Sequence, residues 1–309
     1  MVWEFMLKKS HRVVEVESCL IQSEDTEKIV AAVKKWMKAY DVEPYDENTN
    51  SGCVRHIYTR SGNEEIMVVI VTKGEKLKAT DKLIELVREA DGRVCSIMQN
   101  INDKKTNVVL GEKLKLLWGK DHIVDNIGHR KFKISPFSFY QVNNAQTKVL
   151  YDLAAKFAEV TEKDVVWDMY CGIGTIGQYA ASRAKKIVGV EIVESAILNA
   201  KENAKLNELD NFEYYLGAAE EVAPKLIKKG LTPDVIFLDP PRKGCDKNLL
   251  DTVIDTGAKR VVYISCKPST LARDLAYLTE NGYNVKKIQP VDLFPRTHHV
   301  ETVVLLCRN

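Results

Sequence analysis

VVWDMYCGIGTIG, residues 165–177, is the stretch on which the fold turns. Its first part, 165–170, is an almost unbroken apolar run of strand length. Gly172, Gly174 and Gly177 follow at once, and helical patterning resumes after them. A buried strand feeding a glycine turn and a helix is the opening unit of a doubly wound sheet. The surrounding chain keeps that rhythm. A helix over 146–160 precedes it, and KIVGVEI (186–192), FEYYLG (212–217), DVIFLDP (234–240) and RVVYISC (260–266) follow as short apolar strands between helical stretches. Such strands imply a parallel sheet covered on both faces. NVKKIQPVDLF (284–294) and VETVVLLC (300–307) are joined by too short a loop for a crossover helix, so that pair is expected to be antiparallel. The class is α/β, with a mostly parallel seven-stranded sheet.

Upstream the rhythm differs. Strand (12–18), helix (26–40), strand (54–60), strand (64–72), helix (80–90) and strand (93–101) read as a βαββαβ unit, with SGN at 61–63 as a hairpin turn. Shorter strands near 114–118, 122–127 and 130–135 follow, and then SPFSFYQVNN breaks the pattern. Two domains are expected: a smaller α+β domain over 1–134 and the α/β domain over 135–309. The Lys-rich helix 26–40 reads as a solvated face.

Composition sets bounds. The 309 residues are 45% hydrophobic and 28% charged, ordinary values for a globular chain, which argues against wholesale disorder. A net charge of +2 permits a nucleic-acid partner only through a local patch. No apolar run has the length of a membrane span, and MVWEFMLKKS is not a signal peptide. The seven cysteines are odd in number and scattered, with no CxxC pair, so a reducing cytoplasm is expected.

Four motifs carry the chemistry. The glycine turn fits both dinucleotide dehydrogenases and methyltransferases that use S-adenosyl-L-methionine, and Glu191, closing the next strand, suits a ribose diol in either. DPPRKGC (239–245) discriminates between them: Asp239 ends a strand, and two prolines stiffen the exit. A related acidic-Pro-Pro-aromatic loop serves methyltransferases acting on exocyclic amines, but Arg242 stands in the place of the aromatic, which points away from an amine target. In YISCKPSTLARD (263–274), Cys266 sits where the chain leaves the sheet, a position open both to packing and to a nucleophile. FPRTHHVETV (294–303) brings Glu301 and the pair His298 and His299, which lacks partners at metal-ligand spacing.

Taken together, these motifs resemble the RNA 5-methyluridine (uracil-C5) methyltransferases, in the family's own order. The match is strong from about Ser135 to the end and weaker across KKSHRVVEVESCLIQ (8–22). The resemblance implies a Rossmann-like class I methyltransferase domain, S-adenosyl-L-methionine as cofactor and RNA as partner. It places the nucleophile at Cys266 and the proton-abstracting base at Glu301. It places cofactor contacts at Gln141, Tyr170, Gly172, Gly174, Thr175, Glu191 and Asp239. No metal is implied at the site, and Cys171 and Cys245 receive no role. A thiolate adding to C6 of uracil would turn C5 into a nucleophile, and Arg242 is expected to raise the thiolate share of Cys266.

Many relatives carry an OB-like domain and three clustered cysteines that hold an iron–sulfur cluster with a fourth, and Cys19 lies on the position of that fourth. The other three are absent here, so no cluster is expected, and the chain is read as shortened or as a reduced relative. The expectation is a monomeric cytoplasmic enzyme that methylates C5 of a uridine through a Cys–C6 adduct, in 23S ribosomal RNA ahead of transfer RNA. Two alternatives stand beside it: a non-catalytic cofactor- or RNA-binding fragment, and an RNA cytosine-C5 methyltransferase. The latter normally has a cysteine where Pro241 and Arg242 stand.

Overall fold

Hydrophobic periodicity sorts the first helices and strands onto one core. The computed structural model describes residues 3–6, 13–16, 19 and 21–309, the first two segments by backbone alone. Two short strands, β1 (Trp3–Met6) and β2 (Val13–Val16), pair with each other antiparallel. Helix α1 (Glu24–Ala39) and strands β3 (Val54–Ser61) and β4 (Ile66–Thr72) follow, then α2 (Thr80–Ala90), β5 (Val94–Ile101) and β6 (Lys113–Gly119). The stripe Ile29, Val33 and Trp36 of α1 and Leu83 and Val87 of α2 pack with Ile66, Val68, Ile70 and Ile97 of the sheet. Burying each such side chain contributes roughly 1.5–3 kcal/mol.

The elements β2-α1-β3-β4-α2-β5 follow one another as expected, but the sheet order, β3-β4-β5-β6, corrects their grouping as one split βαββαβ sheet. β5 lies directly beside β4 and parallel to it, so no strand is inserted between them. The fourth strand is β6, whereas β2, the described part of the strand expected at 12–18, pairs with β1. Alternation identifies a strand without naming its neighbour, and α2 crosses straight from β4 to β5. A hairpin of β7 (Ile123–Ile127) and β8 (Arg130–Ile134) follows. The chain separates into two units, Met1–Asp125 with Ser135–Phe137, and Asn126–Ile134 with Ser138–Asn309. The division expected at 134/135 falls inside this exchange of segments.

The second unit holds α3 (Asn144–Ala158), β9 (Val165–Met169), α4 (Thr175–Ala180), β10 (Lys186–Glu191), α5 (Glu194–Leu206), β11 (Phe212–Leu216) and α6 (Ala219–Lys228). It continues with β12 (Val235–Leu238), α7 (Lys247–Thr256), β13 (Arg260–Ser265), α8 (Pro268–Glu280), β14 (Tyr283–Val291) and β15 (Glu301–Arg308). The seven-stranded sheet is present, in the order β11-β10-β9-β12-β13-β15-β14. Pairs from β11 to β13 are parallel, and β14 and β15 pair antiparallel as expected. β15 inserts between β13 and β14 and runs against both.

Local chemistry sets the ends of these helices. Asn143 caps α3 by accepting from the Gln146 amide at 3.2 Å, Asp246 caps α7, and Gly257 closes α7 at φ +67°. Pro268 opens α8, where its missing N–H leaves nothing unpaired. Successive strands lie to one side of β9 and then to the other. The switch point therefore falls between β9 and β12, where open α/β sheets bind their ligands.

Candidate active site

Strand direction brings the chemistry to one edge. β9, β10, β12 and β13 run parallel, so Tyr170, Glu191, Asp239 and Cys266 all stand where their strands end. β15 runs the other way, so its first residue, Glu301, arrives at the same edge. Ser265 pairs with Thr302, and one step further brings Cys266 level with Glu301 on the neighbouring strand. Adjacent strands are roughly 4.7–4.9 Å apart, which makes thiol and carboxyl neighbours. Tyr170 and Asp239 flank the switch point, because Met169 and Leu238 are paired.

The glycines of the turn do different work. At Gly177 a Cβ would meet Asp168 Oδ2 at 2.8 Å, and at Gly174 (φ +83°) it would meet Gln178 Nε2 at 2.6 Å. Both positions demand glycine for internal packing. Gly172 (φ +56°) differs, since a Cβ there meets nothing within 4 Å. Its amide donates to Glu191 Oε2 at 3.0 Å, while Val193 N donates to Oε1 at 2.9 Å. Glu191 is thereby fixed in orientation, yet each oxygen keeps a lone pair for a diol. Tyr170 takes a left-handed backbone, φ +67°, a strained conformation for an aromatic residue and one that clusters at functional sites.

The remaining expected cofactor positions divide. Thr175 begins α4, and its hydroxyl is engaged with Tyr151 Oη at 2.9 Å. Gln141 lies in an irregular segment held at two points. Asn199 Nδ2 of α5 donates to Ser138 Oγ at 3.0 Å, and Asn143 Nδ2 donates to the Leu293 carbonyl at 3.1 Å. The first anchor lies on the helix that follows Glu191, the second on the loop that leads to Glu301.

Burial dominates the electrostatics of the edge. Asp168 is buried, accepts from the Gly177 amide at 2.9 Å, and is pushed up to about 7, chiefly by burial. Its Oδ1 has no partner among the described residues. Asp239 is raised to about 8 by burial and then by the nearby Glu301 and Asp168 carboxyls. Glu301, itself buried, rises to about 7 by burial, against the opposing pull of Arg242. Burial also raises the Cys266 thiol, with Glu301 and Asp239 adding to it, and Arg242 only partly offsets them. The expectation that Arg242 raises the thiolate share of Cys266 holds in direction, although burial and the two carboxyls outweigh its charge.

Sequence reasoning passed over three contributors: Asp168 with its raised carboxyl, Tyr151 behind Thr175, and Asp274, a buried acid on α8. Asp168 and Asp274 lie inside motifs already singled out, so their types and places were visible, but their burial was not. Among the described residues no three His, Cys, Asp or Glu side chains group so as to hold a metal ion, and no helix is long and apolar enough to cross a membrane. Cys19 is buried and unpaired in any disulfide. The His298 and His299 rings lie 4.1 Å apart.

A doubly wound sheet with this strand order, and with acids and a glycine turn at its switch point, defines a Rossmann-like methyltransferase domain. The chain belongs to the tRNA (uracil-5-)-methyltransferase family, whose model matches residues 107–309. It is 47% identical over 304 residues to an uncharacterized RNA methyltransferase of Clostridium tetani, covering 98% of this chain and 66% of that one. A second uncharacterized RNA methyltransferase, from Bacillus cereus, is 47% identical over 306 residues, with coverage of 98% and 66%. The chain thus spans about two thirds of the length of these relatives. Among solved structures it is similar to Pyrococcus abyssi tRNA (uracil-54, C5)-methyltransferase in complex with S-adenosyl-L-homocysteine. That likeness has a TM-score of 0.81 and 29% identity, and covers 97% of this chain and 70% of that one.

Proposed function

We propose that the protein transfers a methyl group from S-adenosyl-L-methionine to C5 of a uridine in RNA through a covalent adduct on Cys266. The observation that carries this reading is the register between β13 and β15, which sets a thiol and a carboxyl side by side at the ligand-binding edge. A binding module has no use for that pair. The fixed Glu191 carboxylate and the open space beside Gly172 fit a nucleoside cofactor. When bound, that cofactor supplies an electrophilic methyl group.

The residues divide the work on the base. The Cys266 thiolate adds to C6, and the electron pair of the C5–C6 double bond moves toward C5, which becomes the nucleophile for the methyl group. Glu301 as carboxylate then removes the C5 proton, the double bond re-forms and the thiolate leaves. Asp239, protonated up to about pH 8, offers a donor as well as an acceptor to the polar edge of the base. Tyr170, Gly172, Glu191 and Gln141 would hold the cofactor, with Gly174 and Thr175 shaping the turn that binds it.

The sequence reading favours 23S ribosomal RNA. The solved relative acts on transfer RNA, and this specific likeness keeps transfer RNA as a second reading. The test presents methyl-labelled S-adenosyl-L-methionine with unmodified transcripts of both RNAs and maps the labelled nucleotide. Label on C5 of uridine supports the reading, and the RNA that takes it up decides the target. Label on cytosine, or none on either RNA although both bind, contradicts it.

A further inference from the structure

Only one residue of the SCKPSTLARD motif, Cys266, enters the chemistry above. From Pro268 on the motif forms the first turns of α8, and three of its side chains reach one short stretch of backbone. The Thr270 hydroxyl shares its one proton between the Arg242 carbonyl at 3.2 Å and the Lys267 carbonyl of its own helix end at 3.1 Å. Arg273 Nη2 donates to the Lys243 carbonyl at 3.0 Å and more weakly to the Cys245 carbonyl at 3.4 Å. The Cys245 amide donates to Asp274 Oδ2 at 2.8 Å. Residues 242–245 of the DPPRKGC loop are thus gripped from α8 at three of their four positions.

The grip is anchored below. Asp274 is 1% exposed, and its Oδ2 also accepts from Tyr263 Oη at 2.6 Å, three residues before Cys266 on β13. Its Oδ1 accepts from Arg273 Nε at 2.8 Å, which orients the guanidinium toward the loop. Gly244 is required by the same contacts. Its φ is +79°, and a Cβ there would stand 2.5 Å from Arg273 Nη2 and 2.6 Å from Asp274 Oδ2. The loop and the clamp together border a depression of about 510 Å³, lined by Lys243, Lys247, Arg273, Asp274 and Tyr277. The α8 contacts, together with the bond from the Gly244 amide to the Pro241 carbonyl at 2.8 Å, set the loop's path.

We infer that Thr270, Arg273 and Asp274 are positioning residues, a clamp that holds the Arg242 loop in register with the nucleophile Cys266. The clamp and the thiol belong to one rigid piece, because α8 begins two residues after Cys266. The loop carries Asp239 at its start and Arg242 at its turn, so holding it holds the acid and the cation that bear on the thiol. Loosening the clamp frees Arg242 and weakens the charge that works against burial. The thiol then becomes harder to ionise, and attack slows without loss of any group that touches the substrate.

This inference rests on the proposed role of Cys266, but its test needs neither RNA nor turnover. Iodoacetamide labelling of the Cys266 peptide, followed by mass spectrometry across a pH series, reads thiolate formation alone. In Thr270→Val/Arg273→Ala the profile is expected to move to higher pH, with labelling about threefold slower near pH 8. Arg242→Ala should give a shift of the same size, and adding it to the double variant should give no more. Binding of S-adenosyl-L-homocysteine should stay within about twofold of the native protein, a result that general unfolding would not leave intact. Both altered side chains lie toward the outside of α8; should the double variant melt early, Thr270→Val alone gives the smaller shift and Arg273→Lys restores part of it. An unmoved profile in folded protein, or shifts that add in full, would overturn the clamp. Failure of methylation with the profile shifted as described would instead overturn the reaction proposed for Cys266.

Discussion

The two halves of the sheet edge treat their acids differently. At the ends of β9 and β10, Asp168 and Glu191 are met by backbone amides, one from Gly177 and two from Gly172 and Val193. At the ends of β12, β13 and β15, the Asp239 and Glu301 carboxyls meet no hydrogen-bond donor among the described residues, and they and the Cys266 thiol are held toward their neutral forms. The first half is already organised, as a site for a cofactor of fixed shape needs to be. The second is under electrostatic tension that a bound substrate can relieve. Carboxyls raised to about 7 and about 8 are poised near the working pH, where a proton can be both taken and given.

The largest effect should come from the tense half. Cys266→Ala should abolish measurable methyl transfer to RNA while leaving S-adenosyl-L-homocysteine binding intact, as read by paired activity assay and calorimetry. If both fall together, the two halves are not separate.

A smaller effect belongs to the organised half. Glu191→Ala removes the acceptor held by Gly172 and Val193 and should weaken S-adenosyl-L-homocysteine by roughly 1.5–3 kcal/mol, about ten- to a hundredfold in Kd. Labelling of Cys266 by iodoacetamide should be unaffected. An unchanged Kd would mean that Glu191 only shapes the turn.

The smallest effect is on stability. Asp239 titrates near 3.8 when unperturbed and near 8 in the fold, so both states are protonated below about pH 4. Between those values the unfolded chain gives up a proton that the folded chain keeps, so stability falls as pH rises, and the loss is complete above about pH 8. Glu301 adds to the same fall between its ordinary value of 4.5 and about 7. Asp239→Asn should flatten the decline and raise stability near pH 8 by on the order of 1 kcal/mol or more, seen as a higher Tm, with little change near pH 4. Thermal melts across that range decide it; an equal decline in both proteins would show that Asp239 is not strained.

Much of this was legible in the sequence because it is written in short-range pattern. Apolar runs around 165–170, 186–192, 234–240 and 260–266 marked the parallel strands, and the short link before Glu301 marked the antiparallel pair. Motif positions then placed Tyr170, Glu191, Asp239, Cys266 and Glu301 at strand ends. Long-range facts were hidden. Nothing in 301–308 says that β15 slips between β13 and β14, and that insertion is what sets Glu301 beside Cys266. Nothing near 12–18 says that the strand will leave the sheet of β3 to β6. The balance at Cys266 was hidden for the same reason, since burial and the Glu301 and Asp239 carboxyls come to outweigh Arg242 only once the strands are assembled.

The central claim is that Cys266 and Glu301 act in sequence on one base, and a denaturing gel reads this directly. Glu301→Gln keeps the shape of the side chain but cannot take the C5 proton, so elimination should stall with RNA still bonded to Cys266. Incubated with substrate RNA and S-adenosyl-L-methionine at low salt, where phosphate contacts are strongest, Glu301→Gln should give a slow-migrating protein–RNA band. The same protein carrying Cys266→Ala as well should give none. Turnover by Glu301→Gln should fall by roughly 10²–10⁴. A band that survives loss of Cys266, or full turnover without it, would contradict the account.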